Sequence, residues 1–240
     1  MVNTIDLRQT ITGSEFSVTI TEPGQRDNLL ESLSGVVMGR IARVLSLLDS
    51  RDPGSDINRL NACGHIHPMR LHPWVYELIE QTLLLGDRTK GAFDVAAEPS
   101  RIGLRFIPHL QAKPGQEAAS FRDVCLLGHN RVRFRKPLRI DLSGIDRAFA
   151  IDKAIELLIE LGVSSATIRT QGHKRSVGIV PDTNAAHSRN RATVTQPAYH
   201  ANGLHHWRKI HHIAHPRHGR PMRSIIRTKA VPTRLPAALH

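Results

Sequence analysis

The stretch SGIDRAFAIDKAIELLIELG, residues 143–162, constrains the fold more than any other part of the chain. Its apolar residues recur at three- and four-residue intervals, which predicts an α-helix with one buried face. Gly162 follows the last of them and predicts the end of the helix. VSSATIRT comes next and is typical of a β-strand, so the fold combines helices with a sheet. The predicted buried face consists of Ile145, Phe149, Ala150, Ala154, Leu157, Leu158 and Leu161.

Other segments add strands and helices in irregular order. EFSVTI at 15–20 alternates apolar and polar residues and predicts a half-buried strand, and SVGIVP predicts another. VCLLGHNRVRFRKPLRIDL predicts two strands around a Gly-His-Asn turn. Helices are predicted at 25–49 and at about 73–88, and the periodicity fails after Pro181. The sequence therefore predicts an α+β (mixed α/β) fold with a mixed sheet and packed helices.

Length and composition limit the classes of protein that fit. The 240 residues suit one large domain or two small ones. No run approaches the roughly 18 apolar residues of a membrane span, and MVNTIDLRQT lacks the features of a signal peptide. Cys63 and Cys125 imply no disulfide framework. We therefore expect a cytoplasmic protein without a membrane span.

Positive charge is concentrated in the final third. Residues 173–240 contain twelve Lys or Arg and one acid, whereas residues 1–172 contain twenty-one Lys or Arg and twenty Asp or Glu. Ten of the fifteen histidines also follow residue 172. We expect a nearly neutral globular body whose residues 182–240 are basic, His-rich and partly disordered.

The segment HHIAHPRHGRP at 211–221 allows three interpretations. Imidazoles bind Zn²⁺, Ni²⁺ or Cu²⁺, although no closed Cys/His framework accompanies them. Basic residues bind nucleic-acid phosphates, but only Tyr199 and Trp207 offer base stacking there, so we do not expect nucleic acid as a partner. The third interpretation is an altered copy of another protein's loop. The metal interpretation would use His200, His205, His206, His211, His212, His215 and His218.

Four segments in order resemble the FAD:protein FMN transferases, the ApbE family. They are ITGSEFSVTI, DSRDPGSDINRLN, GAFDVAAEP and IDLSGIDRAFAIDKAIELL. HHIAHPRHGRP resembles the family's His-His-Ile-x-Asp-Pro-Arg-Thr-Gly-Arg-Pro loop, with His215 at the Asp position and His218 at the Thr position. The resemblance extends from about residue 10 to residue 240, which implies that 1–240 is a single flavin-transferase domain.

The resemblance implies Mg²⁺-dependent transfer of FMN from FAD to a Thr or Ser hydroxyl of an acceptor flavoprotein, with release of AMP. Such phosphoryl transfer needs a cation held by hard oxygen ligands and a base for the hydroxyl proton. By resemblance, His212 is the catalytic candidate and the Gly144 carbonyl would face the metal. The residues expected to bind FAD are Thr12, Ala92, Phe93, Asp94, Asp141, Arg147 and Ile213.

Several positions depart from the family pattern. Thr12-Gly13-Ser14 replaces Met-Gly-Thr, and Gln171-Gly172-His173 replaces Gly-Gly-Asp. SGIDRA at 143–148 replaces Gly-Gly-Ile-Ala-Lys-Gly, and Thr195-Gln196-Pro197 replaces Thr-Ser-Gly. The family's metal-ligating Asp falls at about Ala237. These departures imply a weakened activity.

Three alternatives therefore stay open. A weakened transferase would hold Mg²⁺ through backbone carbonyls, through Asp141 or Asp146, and through the substrate phosphates. A catalytically inactive homologue would bind FAD or only keep the fold, and a His-rich protein would bind another metal. The two carboxylates of Asp94 and Asp141 could also serve ordinary loop or helix-capping roles.

Overall fold

The protein is described here by a computed structural model. It describes residues 2–25, 27–91, 93–96, 119–142, 145–180, 188–189 and 192–194. The chain folds into two compact units. Of the described residues, unit 1 contains 2–25, 27–45, 145–180, 188–189 and 192–194, and unit 2 contains 46–91, 93–96 and 119–142. Both units combine helices with a sheet, which confirms the predicted α+β class.

The elements alternate irregularly, as the sequence predicts. In chain order they are β1 (Val2–Ile11), β2 (Ser14–Pro23), α1 (Asp27–Leu48), α2 (Asp56–Cys63), β3 (Met69–Arg70), α3 (Pro73–Arg88), a 3₁₀ helix (Phe121–Asp123), β4 (Val124–Leu126), β5 (Arg131–Phe134), α4 (Asp146–Glu160), β6 (Ala166–Thr170), β7 (His173–Val177), β8 (Ile179–Val180), β9 (Ser188–Arg189) and β10 (Ala192–Val194). A mixed sheet is expected from the sequence, but every described strand pair is antiparallel.

The large sheet of unit 1 has the strand order β1-β2-β6-β7-β10. The predicted alternation of β2 is confirmed, since Phe16, Val18 and Ile20 are all 0% exposed. Thr12 (φ 48°) and Gly13 (φ 78°) close the β1–β2 hairpin in the left-handed region that a type I′ turn requires. The sequence did not predict β1, because this edge strand has few apolar residues and most of its side chains are not buried.

Helix α4 packs on β6 and β7 of this sheet. Most of its predicted face is buried, including Phe149, Ala154 and Leu158. Gly162 has φ +75° and follows the end of the helix as predicted. Leu161 differs from the prediction: it is 49% exposed because it caps the helix beyond the last packed turn.

The prediction of one strand over SVGIVP is wrong. Strand β7 begins earlier, at His173, and ends at Val177. Gly178 then has φ +75°, and a Cβ added there would collide with the Ser164 carbonyl. The chain turns at this glycine because a side chain would fit neither the space nor the dihedral angle. Strand β8 follows and pairs with β9 in a separate sheet.

Unit 2 is built on helices α2 and α3 and a sheet of order β3-β5-β4. The predicted helix at 73–88 is confirmed, as are two strands around the Gly-His-Asn turn. The short segment INRLNACG proves to lie mostly in helix α2. Ser55 begins this helix, since its side chain accepts a hydrogen bond from the Asn58 amide. Such a cap satisfies an amide that the first helical turn leaves unpaired.

The basic portion 182–240 lies largely outside the described residues. Strands β9 and β10 fall within it, where the sequence showed no periodicity. No helix in the described ranges is long and apolar enough to cross a membrane.

Candidate functional site

The structure describes part of the predicted site. Thr12 and Arg147 lie in unit 1, whereas Phe93, Asp94 and Asp141 lie in unit 2. Thr12 is exposed in the β1–β2 turn. The remaining predicted residues, which lie outside the described residues, are Ala92, Gly144, His212 and Ile213. The same is true of the HHIAHPRHGRP segment.

The loop that carries Phe93 is fixed by the end of α3. The Thr89 hydroxyl donates a hydrogen bond to the Leu85 carbonyl (2.8 Å) and accepts one from the Phe93 amide (3.0 Å). Gly91 has φ +78°, and its amide donates to the Gly86 carbonyl (2.8 Å). This geometry is typical of a helix end that reverses the chain. The start of the predicted FAD-binding loop is therefore anchored to the end of a helix that has one buried face.

Asp94 organises the rest of this loop. One of its carboxylate oxygens accepts hydrogen bonds from the amides of Ala96 (2.9 Å) and Phe121 (2.9 Å). Bonds from amides to a charged carboxylate are stronger than those between neutral groups. They tie residues 93–96 to the 3₁₀ helix. These contacts give Asp94 the ordinary loop role that was one of the two roles predicted for it from the sequence.

Asp141 lies beside the same loop. Its amide donates a hydrogen bond to the Val95 carbonyl (3.1 Å), and its side chain is exposed. The structure thus brings together two segments that are far apart in sequence and were both predicted to contact FAD. Asp141 does not begin helix α4, since the residue before that helix is Ile145 and has no side-chain capping bond.

Asn61 holds the residue that precedes Asp141. Its side-chain nitrogen donates to the Ile140 carbonyl (3.0 Å), and its oxygen accepts from the Ile140 amide (2.8 Å). Asn61 is 9% exposed and Ile140 is 2% exposed, so both bonds are shielded from water. We call the Asn61 side chain and the backbone N–H and C=O of Ile140 the asparagine clamp.

The sequence contained a signal for this clamp that was not used. Asn61 follows Ile57 by four residues and Leu60 by one, so it belongs to the buried face of α2. A polar residue on a buried face must find hydrogen-bond partners. The same helix holds Asp56, whose carboxylate accepts from the His72 amide and lies 3.6 Å from the Arg59 guanidinium. The polar residues of SDINRLN therefore organise unit 2.

Arg147 lies in the first turn of α4, next to Asp146. The Asp146 carboxylate accepts a hydrogen bond from the Arg147 amide (2.7 Å). An acid at this end of a helix is favourable because the helix dipole is positive there. The structure thus gives Asp146 a local role at the helix start.

His173 lies near Arg147 at the start of β7. Burial lowers the pKa of His173, and the positive charge of Arg147 lowers it further. Its Nδ1 atom is buried and has no hydrogen-bond partner among the described residues. The imidazole is therefore neutral at pH 7. Two of the positions that depart from the family pattern, 147 and 173, thus lie close together in unit 1.

The described residues contain no group of three or more His, Cys, Asp or Glu that could hold a metal ion. Asp141 and Asp146 offer carboxylate oxygens, the ligand type that Mg²⁺ prefers. They lie in different units. The donor chemistry fits Mg²⁺, but a complete set of side-chain ligands is not present in these parts of the chain.

Comparisons with known proteins agree with this fold. The chain is similar to the apo crystal structure of the Pseudomonas stutzeri flavinyl transferase ApbE, with 20% identity, a TM-score of 0.70, and coverage of 92% of this chain and 77% of that one. It is also similar to the flavin transferase ApbE from Vibrio cholerae, with 20% identity, a TM-score of 0.71, and coverage of 92% of this chain and 79% of that one. The ApbE protein from Thermotoga maritima shares 18% identity and a TM-score of 0.68, with coverage of 91% of this chain and 78% of that one.

At identities this low, the structural likeness establishes a shared fold. No curated protein matches the chain in sequence. The model of the ApbE family, however, matches residues 12–235, which is most of the chain. The chain therefore belongs to the ApbE family.

Proposed function

We propose that this chain is a flavin transferase that moves FMN from FAD to a Thr or Ser hydroxyl of an acceptor flavoprotein. The observation that carries the proposal is the hydrogen bond between the Asp141 amide and the Val95 carbonyl. It joins the two described segments that the family resemblance assigns to FAD. Family membership and the fold shared with flavin transferases support the same conclusion.

The reaction is a phosphoryl transfer. The acceptor hydroxyl oxygen bonds to the flavin-side phosphorus of the pyrophosphate. The bond from this phosphorus to the bridging oxygen breaks, and AMP leaves with the electron pair. The hydroxyl proton passes to a base, for which His212 is the candidate by resemblance. The protein contributes mainly position and charge, as in other phosphoryl transfers.

The described residues would divide this work. Phe93 and the loop held by Asp94 would line the FAD site, and Asp141 would hydrogen-bond the flavin nucleotide. Arg147 carries a positive charge suited to the anionic nucleotide. His173, which is neutral beside it, would add no second positive charge.

Mg²⁺ would neutralise pyrophosphate charge when bound. The Asp141 or Asp146 carboxylate and the Gly144 carbonyl are the oxygen donors proposed to hold it. Because the described residues offer no cluster of three metal-binding side chains, we propose that the FAD phosphates complete the coordination. Mg²⁺ should then bind weakly to the free protein and more tightly in the presence of FAD.

A second candidate is an inactive homologue that binds FAD without cleaving it. It is favoured by the backbone hydrogen bonds of Asp94, which give this acid a structural role without chemistry. The interpretation of the final third as a His-rich metal site, and the cytoplasmic location, stay predictions from the sequence.

The test is AMP release from FAD in the presence of an acceptor that carries the target threonine, with and without Mg²⁺, together with a fluorescence titration of FAD binding. Asp141→Asn should weaken FAD binding and slow AMP release. The matched control is Asp6→Asn, which changes a partly exposed carboxylate on β1 that pairs with Arg8 (3.2 Å). FAD binding without AMP release in the unmodified chain would favour the inactive homologue. Equal effects of the two substitutions on FAD binding and AMP release would show that Asp141 is not part of the FAD site.

A further inference from the structure

The β3-β5-β4 sheet of unit 2 has one buried and one exposed face. Its buried face includes Met69, Val132 and Phe134, which are 7%, 0% and 1% exposed. The alternate residues of β3, and of β5 with the residue that follows it, point the other way and are basic. We call this surface the arginine face; it consists of Arg70, Arg131, Arg133 and Arg135, all exposed.

The register places these arginines close to one another. Arg70 and Arg131 are direct cross-strand partners. Like charges in that position destabilise a sheet. Arg131 and Arg133 alternate along β5, so their Cα atoms are about 6.6 Å apart. The face therefore carries repulsion that a bound anion would relieve.

The described carboxylates leave this repulsion in place. No ion pair joins Arg70, Arg131 or Arg133 to an acid in the parts of the chain that the structure describes. The nearby Asp123 pairs with Lys136 at 3.2 Å and accepts from the Ser120 amide at 3.0 Å. Other arginines do find acids: Arg8, Arg51 and Arg59 lie 3.2, 3.0 and 3.6 Å from carboxylates.

We propose that the arginine face binds an acidic segment of the acceptor protein. The identification of the partner as the acceptor rests on the proposed function, because flavin transfer requires a second protein to dock. Guanidinium groups suit this role since they form paired hydrogen bonds with carboxylates. Arginine is also enriched at protein interfaces, whereas lysine is depleted.

Charge and composition disfavour the other occupants. A second copy of the chain would bring its own net charge of +12 and be repelled. Single-stranded nucleic acid would need aromatic side chains for stacking, but the other side chains on the described part of this face are Cys125 and Leu127. A membrane surface would need more apolar area than Leu127, which is 42% exposed.

The first test is binding of fluorescent decaglutamate to the full chain, followed by fluorescence anisotropy. Arg70→Gln/Arg131→Gln/Arg133→Gln should weaken binding about tenfold or more, since each exposed Arg–carboxylate pair contributes a few-fold. The control variant, Arg8→Gln/Arg51→Gln/Arg59→Gln, removes the same charge from arginines that already have partners. It should weaken binding by less than about threefold. Equal losses in the two variants would overturn the proposal.

The basic residues 173–240 also attract polyanions, so a second test is needed that reports on the arginine face alone. Cys125 lies opposite Arg133 in the sheet, and its sulfur accepts a hydrogen bond from the Arg135 Nε (3.3 Å). In a Cys63→Ser background it is the one remaining cysteine. Decaglutamate should slow its alkylation by iodoacetamide several-fold. Unchanged alkylation, or stronger protection by oligothymidylate, would contradict an acidic protein partner.

The two proposals fail in different assays. AMP release from FAD with a short uncharged threonine peptide as acceptor tests the transferase, and it should be equal in the arginine-face variant and the unmodified chain. If the unmodified chain releases no AMP but decaglutamate still protects Cys125, the transferase proposal falls and binding of an acidic segment stands. If AMP is released and Cys125 is not protected, the arginine-face proposal falls alone.

Discussion

Replacing Asn61 tests whether the asparagine clamp holds the segment before Asp141. Asn61→Ala removes the hydrogen bonds to the backbone N–H (2.8 Å) and C=O (3.0 Å) of Ile140. It leaves a buried amide and a buried carbonyl unpaired, each costing about 1–3 kcal/mol. We therefore expect a loss of about 2–6 kcal/mol in the free energy of unfolding. This is a large part of the roughly 5–15 kcal/mol of a typical domain.

Asn61→Asp separates the two hydrogen bonds. The carboxylate keeps the acceptor for the Ile140 amide but loses the donor to the Ile140 carbonyl, and it buries a charge. Protonation in acid restores the donor. We therefore expect Asn61→Asp to be strongly destabilising at neutral pH and less so near pH 4.

Urea unfolding followed by circular dichroism measures both variants. The control is Asn3→Ala, which loses one hydrogen bond to the Gln25 carbonyl (2.7 Å) in an exposed setting. It should cost no more than about 0.5 kcal/mol. The reasoning fails if Asn61→Ala matches this control. It also fails if folded Asn61→Ala binds FAD as the unmodified chain does, since Asp141 would then not depend on the clamp.

Two further predictions concern unit 1. Gly178→Ala should lower the free energy of unfolding by about 1–3 kcal/mol or more, because it combines a left-handed φ with a collision at Ser164. Urea unfolding should show a smaller loss for Gly24→Ala, where φ is +74° but nothing lies within 4 Å of the added Cβ. For His173, the folded pKa is below the ordinary value of 6.5, so the unfolded chain takes up the proton first as the pH falls. Its contribution to stability is present above pH 6.5 and lost as the pH falls through the folded pKa. His173→Gln should therefore flatten the dependence of the free energy of unfolding on pH in that range. An unchanged dependence would contradict the lowered pKa.

The sequence predicted the elements whose periodicity reflects their own burial. Strand β2 and helices α3 and α4 bury one regular face each, and the predicted bounds of α3 match the observed ones. Strand β1 was missed because an edge strand is defined by its partner more than by its side chains. The break after Val177 was missed because it depends on how close Gly178 comes to Ser164, which the sequence does not show.

The candidate site shows the same contrast between features with a local sequence pattern and features set by contacts between distant residues. The family resemblance assigned Asp94 and Asp141 to one ligand, and the structure places their segments side by side. The detailed roles could not be predicted, since they depend on contacts between distant residues. Asn61 binds a residue 79 positions away. The Asp94 carboxylate binds an amide 27 positions away. Local patterns carry no information about such pairs.

The transfer of FMN itself is the central claim, and the attachment of flavin to an acceptor tests it most directly. The chain would be incubated with FAD, Mg²⁺ and an acceptor protein that carries the target threonine. Flavin fluorescence on the acceptor would be measured after denaturing electrophoresis, with a Thr→Val acceptor as control. The account predicts a fluorescent acceptor, equimolar AMP, and no label on the control. Tight FAD binding with an unlabelled acceptor and no AMP would contradict it.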